Sequence, residues 1–338
     1  MFEDILPQIP EISTSAKYWY VRTDGGALYE PFRRSQSIAI GYPLVSLSFI
    51  QELDEDEKVG LPILKEELRK HYPPKEGVDG RVNDLSGLHA AQLWKFVREM
   101  KAGDIVIIPS PKGERLAIGF VEDKPAFEDA LTLGAEKFPE FTKRRSVNWL
   151  RGIDRSGINP NLFKLFLNPQ TLIDASNYAG WIDPLLYDLF KKGEDYHLVL
   201  RVRTEEHIKA QPLFKTCVGL LDLAADFAKL ESLDSETDAI ETRINLNSPG
   251  DVEFWKNGIQ LIFVIGLLIV FINGGGITYE DAKSKFSLKT DGILSRLNEF
   301  LNDHVRRESV KELGRKLKSL QIMDPKQISD LFKSLLKK

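Results

Sequence analysis

Lys17-Tyr-Trp-Tyr-Val-Arg-Thr-Asp-Gly-Gly26, continued into Ser37-Ile-Ala-Ile-Gly-Tyr42, is the stretch around which the rest of the chain is read. Tyr18, Trp19, Tyr20 and Val21 all favour a strand. Gly25-Gly26 breaks it, because positive φ is cheap at glycine. A second strand over 37–42 closes the unit, and Arg33 and Arg34 lie between the two. Aromatic rings beside a glycine turn, with cations nearby, suit flat ligands such as nucleic-acid bases. The pattern favours a binding role over a named reaction.

The chain has 338 residues, enough for two or three domains, and 42% of them are hydrophobic, enough for real cores. A net charge of -4 argues against bulk polyanion binding but is compatible with a local basic patch. The single cysteine, Cys217, rules out an internal disulfide framework and a cysteine-rich zinc site. Its apolar context, Phe214-Lys-Thr-Cys-Val-Gly-Leu220, makes it a buried, inert thiol. The acidic start Met1-Phe-Glu-Asp, followed by Pro7 and Pro10, does not resemble a signal peptide, so a cytoplasmic location is expected.

In chain order, residues 1–16 read as a proline-bearing arm. Ile63–Lys70 fits an amphipathic helix that Pro73-Pro74 ends. A glycine-rich loop spans 76–88. A helix over 89–100 presents Leu93, Phe96, Val97 and Met100 on one face. Ile105–Ile108 and Leu116–Val121 form a hairpin about the turn at Pro109–Gly113. A loop covers 122–140, and a strand with a basic start covers 142–150. Short helices are expected over 162–167, 171–173 and 183–190, then a strand over 196–203 and a long helix over 213–233. The acidic segment 232–242 reads as a linker at a domain boundary. A strand over 242–247, the apolar run 259–272 and a basic helical tail over 279–338 complete the chain.

Four pieces in this order and spacing resemble the EVE/PUA-like domains found at the N-terminus of Mrr-type restriction and other prokaryotic phage-defence proteins. They are Trp19–Gly26, Ile38–Tyr42, Met100–Ile107 with Ala117–Phe120, and Arg144–Leu150. The resemblance covers roughly 17–205. It implies an α+β fold: a PUA-like curved sheet or pseudo-barrel with helices over 17–205. A helix and linker over 206–241 and a mainly helical domain over 242–338 follow. It also implies a pocket that reads a modified or flipped base. Carried over by position, the pocket draws on Trp19, Arg22, Gly25, Gly26, Gly41 and Tyr42, with Trp94 and Phe96 from the neighbouring helix and Arg145 and Trp149 from the late strand. Tyr42 stands where a tryptophan is usual in the family, which alters pocket size while keeping a ring for stacking. An extruded base needs such a ring and hydrogen bonds along its edge, which a guanidinium fork can supply. Against this stands ordinary core packing for Trp19, Trp94 and Trp149, and a solvated strand end for Arg144-Arg145.

Catalytic patterns are thin. Asp104 with Glu122-Asp-Lys124 formally fits a metal-dependent nuclease, but both pieces fall where the PUA-like pattern uses turns. The acidic cluster Glu231, Asp234, Glu236, Asp238 and Glu241 has no histidine with it. His71, His89, His197, His207 and His304 form no pair at metal or triad spacing. Gly274–Gly276 lacks the lysine of a phosphate loop. No catalytic residue, metal or cofactor is expected. The run 259–277 is free of charge and approaches membrane-spanning length, yet its β-branched residues also suit a core helix. The basic tail would hold the C-terminus in the cytoplasm and force the N-terminal domain across without a signal. A buried helix or oligomer contact is therefore preferred, with an inner-membrane association as the alternative. The expectation is a non-enzymatic sensor subunit of a phage-defence system. It binds a modified base or nucleotide, free or in nucleic acid, and signals to a homo-oligomer or a separately encoded effector. The alternatives are a membrane-associated effector and a modification-dependent nuclease.

Overall fold

The computed structural model describes residues 6–76, 82–133, 136–204, 206–245, 249–274 and 293–336. The chain is of mixed α+β class and divides into two compact units, one of Ser15–Ile182 and one of Met1–Thr14 with Asp183–Lys338.

The first unit is built on a curled, half-barrel sheet. Its main strands are β1 (Tyr18–Val21), β2 (Ser37–Ile40), β3 (Ile105–Pro109), β4 (Arg115–Val121), β5 (Lys143–Asp154) and β6 (Leu172–Asp174), in the order β6-β1-β3-β4-β5-β2. β1 and β3 run parallel, and the other neighbours are antiparallel. Ile105–Ile108 is buried throughout, as befits a central strand flanked on both edges. The curl comes from β5. Its first four residues pair with β2, the rest pair with β4, and the register shifts between Trp149 and Arg151. Such a bulge bends a strand and increases its twist.

Three elements differ most from the sequence reading, and the loop expected over 122–140 carries short strands at Phe127–Glu128, Leu131–Leu133 and Glu136–Phe138. A helix, α1 (Tyr29–Arg34), stands between the glycine turn and β2 and buries Tyr29, Pro31 and Phe32. Pro31 is tolerated because a first-turn N–H has no intrahelical partner. Arg33 and Arg34 extend from its end to Glu30, at 3.8 and 3.6 Å, so they form surface ion pairs rather than a cationic wall. The helix expected over 89–100 is α2 (Ser86–Trp94), followed by a wide π-type turn over Lys95–Glu99. The third difference is β6, expected as a helix: two apolar residues, Leu172 and Ile173, carry no usable period, and the exposed edge of β1 decides their state. The loop expected at 76–88 lies partly outside the described residues.

In the second unit the strands are β7 (Leu189–Lys192), β8 (Asp195–Val202), β9 (Glu241–Asn245) and β10 (Gly250–Asn257). Glu11–Ile12 adds a short parallel edge to β7, so this part of the N-terminal arm joins the sheet. Of residues 183–190, expected as a helix, 183–186 lie in the helix Ala179–Leu186 and 189–190 open β7. Around the sheet lie α3 (Ala210–Leu230), α4 (Ile259–Ile272), α5 (Ile293–Asn302), α6 (Arg307–Ser319) and α7 (Lys326–Leu336). Leu198, Leu200, Val202, Val252 and Phe254 share one core with α3 and α4. The acidic segment after α3 is held to this body by Lys256 on Asp234 at 2.7 Å and Arg296 on Glu231 at 2.6 Å. The division therefore falls at 182/183 instead of at 232–242.

α4 is buried from Ile259 to Val270, apart from Gln260. It is apolar on every side, which a helix surrounded by protein requires. Burial accounts for its uninterrupted hydrophobicity, and among the described residues no helix is long and apolar enough to cross a membrane. Residues 275–277 of the run lie outside the described residues.

Cys217 on α3 is buried, and burial pushes its thiol up to about 11. Since the thiolate is the reactive form, the folded protein is expected to resist a disulfide-exchange reagent at mildly alkaline pH. One thiol should appear on unfolding. Rapid labelling without denaturant would contradict this packing.

Candidate functional site

The site grows from the end of β1. A strand alternates its faces, so Trp19 and Val21 enter the core while Tyr20 points to the other side. After Val21 the chain is held by Arg22 N–H donating to Thr171 O at 2.9 Å and by Thr23 Oγ1 donating to Pro109 O at 2.6 Å. It then makes a left-handed turn, with φ of 49°, 63° and 105° at Asp24, Gly25 and Gly26. A second left-handed turn abuts the first, with φ of 56° at Lys112 and 65° at Gly113. Ser110 Oγ fixes its base by accepting from Arg115 N–H at 2.8 Å. The third wall is the segment after β5, from Arg155 to the short helix Phe163–Leu167.

These walls enclose an open cleft of about 360 Å³. Tyr20, Phe166 and Phe163 form a row, with centroids 5.9 Å apart for the first pair and 5.7 Å for the second. The Arg155 guanidinium carbon lies 4.6 Å from the Phe163 centroid, within cation–π range. Burial holds the Tyr20 hydroxyl far above its ordinary pKa despite Arg22 nearby, so the phenol stays neutral. Arg22, Lys112 and Arg155 all line the cleft. Among the described residues none of them forms an ion pair, whereas Lys17, Arg69, Arg115, Lys124 and Arg144 of the same unit each meet a carboxylate. Asp154, next to Arg155 in sequence, is taken by Arg115 at 2.7 Å. The cleft is thus positive, ringed and glycine-floored, a combination suited to an anionic aromatic ligand.

Of the residues expected to form one aromatic pocket, Arg22, Gly25 and Gly26 line this cleft. The others lie elsewhere. Trp19 is 0% exposed, with its indole N–H on Asp104 Oδ2 at 2.8 Å. Trp94 and Phe96 are core residues, so no base can stack on any of these three rings. Arg145 is buried and donates to the carbonyls of Phe96 at 2.6 Å and Val97 at 2.7 Å, tying β5 to the π-type turn. Trp149 is part-buried against the core and donates to Phe32 O at 3.1 Å.

Gly41 and Tyr42 belong to a separate cluster. Tyr42 has φ of 68°, lies 4.6 Å from the His89 ring and meets Tyr72 edge-on at 5.6 Å. Burial, with a smaller effect from Tyr72, pushes its hydroxyl up to about 12, and burial lowers the pKa of His89. Beneath it Lys143, fully buried, donates to the Tyr42 carbonyl at 2.8 Å and lies 3.5 Å from Glu128. These contacts anchor the loop after β2.

Sequence reasoning missed Tyr20, Lys112, Arg155, Phe163 and Phe166 as site residues. Alternation along β1 is the signal that could have chosen Tyr20 over Trp19. The pairing of His197 Nδ1 with Glu253 Oε1 at 2.9 Å was also missed, because 56 residues separate the two.

The nuclease pattern is not assembled. Asp104 accepts from Lys17 N–H, Trp19 and Lys101 N–H, while Glu122 pairs with Lys124 at 2.6 Å. Among the described residues no three histidine, cysteine or carboxylate groups are placed to hold a metal.

Residues 28–172 match the model of a family described as a domain of unknown function, DUF8426. That match begins just after the first left-handed turn and ends in β6. No curated protein and no solved structure matches the chain.

Proposed function

We propose that Ser15–Ile182 is a PUA-like ligand-binding module whose cleft takes a base or nucleotide, and that the whole chain is a sensor rather than an enzyme. The half-buried pair Phe166 and Phe163, backed by the buried Tyr20 and with Arg155 over Phe163, carries this proposal. A base gains roughly 1–3 kcal/mol from one aromatic platform, regardless of its edge. The PUA-like assignment draws support from the four stretches that resemble EVE/PUA-like domains. They supply β1, β2, β3 with β4, and β5, members of one curled sheet. From that resemblance come the further elements of the proposal: a modified base as ligand, a role in phage defence, and signalling to a homo-oligomer or a separately encoded effector.

Calorimetric titration tests the binding. The probes are 5-methyl- and 5-hydroxymethyldeoxycytidine, N6-methyldeoxyadenosine, their unmodified counterparts, the 5′-monophosphates of all of these, and short oligonucleotides containing them. At least one probe is expected to bind. Phe163→Ala should weaken it by roughly 5- to 150-fold, the equivalent of one lost stacking platform. In cells the same variant should lose protection against phage carrying the recognised base. Absence of binding by every probe, or unchanged affinity in Phe163→Ala, would overturn the assignment of the cleft.

A further inference from the structure

We infer that the cleft grips a terminal phosphate monoester of its ligand, with Arg22, Lys112 and Arg155 contributed one by each of its three walls. The ligand is then a free nucleotide or the phosphorylated end of a strand, and not an internal nucleotide. This rests on the proposed base-binding role of the same cleft and adds the chemistry of the ligand's other end.

The charges carry the inference. Three cations share a cleft of about 360 Å³ with no ion pair among the described residues. Like charges that share one cleft repel one another, and an anion between them relieves this. The neighbouring acids do not provide it: Asp154 is occupied by Arg115, and Asp24, on the first turn, does not line the cleft. An internal phosphodiester brings a single negative charge. A monoester brings about -1.5 to -2 near neutral pH, closer to what three cations can hold.

The geometry also separates the two ends of the ligand. The Arg155 guanidinium lies over Phe163 and makes only long contacts, 3.4 Å each, to the carbonyls of Lys112 and Gly113. It therefore retains N–H donors for a phosphate, and its planar fork suits bidentate contact. Arg22 is anchored by one N–H to Pro169 O at 2.9 Å, which fixes its direction and leaves its other donors. Nothing lies within 4 Å of the position a Gly25 Cβ would take, so that turn presents backbone to open space beside the cations. The cavity is at the small end for ligand sites, enough for one nucleotide.

The full chain is titrated with the matched nucleosides and 5′-monophosphates named above, with inorganic phosphate, and with short oligonucleotides that differ only in a 5′-phosphate. A monophosphate should bind about tenfold or more tighter than its nucleoside, through charge-assisted hydrogen bonds. This advantage should shrink between about 50 mM and about 500 mM salt. It should also shrink between about pH 7.5 and about pH 5.5, where the monoester takes up its second proton. Lys112→Ala should remove most of the monophosphate's advantage, read as a larger loss of affinity for the monophosphate than for its nucleoside. Lys112 is exposed, and the denaturant midpoint of the variant checks that its fold is kept. Preference for the 5′-phosphorylated oligonucleotide over the monophosphate identifies a strand end, and the reverse identifies a free nucleotide; both support the grip. Equal binding of nucleoside and monophosphate overturns the phosphate grip and leaves the aromatic assignment standing. Inorganic phosphate binding as tightly as any monophosphate, unaffected by Phe163→Ala, overturns the aromatic assignment instead.

Discussion

Gly26→Ala is expected to destabilise the first unit by roughly 2–5 kcal/mol and to abolish ligand binding in the cleft, because left-handed strain and overpacking add. An added Cβ would lie 2.4 Å from Pro111 Cα, 2.5 Å from Pro111 N and 2.6 Å from its Cγ. Two of these atoms are backbone, so no rotamer change relieves the clash, and φ of 105° is unfavourable for an L side chain in any case. The two left-handed turns would have to separate, and their separation moves Lys112 and Gly113 away from Gly25. Gly25→Ala is the internal control. Its φ is 63° and its Cβ meets nothing within 4 Å, so only the conformational penalty of about 1–2 kcal/mol applies. Urea denaturation of the two variants, with binding measured under native conditions, checks the contrast. Equal destabilisation would mean that the turns are not in contact as described.

How far this architecture could be read from the sequence depends on how local each signal is. The central strand Ile105–Ile108 is legible because a short, wholly apolar run bounded by turns fits a strand flanked on both edges. The long α3 is legible because twenty-one residues supply enough periods to average out exceptions. The fully apolar α4 is legible as buried, but not as buried in protein, since lipid and core select the same side chains. α1 is short and lies between two strand-like stretches, and its signal, Tyr29 with Phe32 and Arg33, spans barely a turn and a half. β6 owes its state to an edge far away in sequence.

The candidate site was half legible for a similar reason. The Gly25-Gly26 turn and Arg22 are local and were found. The rings beside them come from residue 163 onward, and no spacing connects Phe163 to Tyr20. The expectation of Trp19 rather than Tyr20 comes from positional carry-over along the EVE/PUA-like pattern. A strand sends adjacent side chains to opposite faces, so only one of the two could line the cleft. The large indole is also the side chain that gains most from burial, provided its N–H finds an acceptor.

That acceptor is Asp104, and Asp104→Ala is expected to be the most damaging single substitution in the first unit outside the cleft. The carboxylate is 4% exposed. Oδ1 accepts from Lys17 N–H at 3.0 Å, and Oδ2 accepts from the Trp19 indole at 2.8 Å and Lys101 N–H at 2.9 Å. It thereby joins the start of β1, the turn before β3 and the largest ring of the core. It also offsets Arg145, whose charged form burial disfavours and Asp104 favours. Removing the carboxylate strands three donors and leaves a buried cation without its counter-charge, so a loss of roughly 3–5 kcal/mol follows. Trp19→Phe removes only one of those donors and keeps most of the ring volume, so it should cost less. In the double variant the losses should sum to less than their separate values, because one hydrogen bond is counted in both. Denaturant midpoints for the single and double variants measure this directly. The same substitution separates structure from chemistry. A metal-binding nuclease carboxylate would lose divalent-metal-dependent cleavage on replacement by alanine while stability held, and that outcome would return Asp104 to a catalytic role.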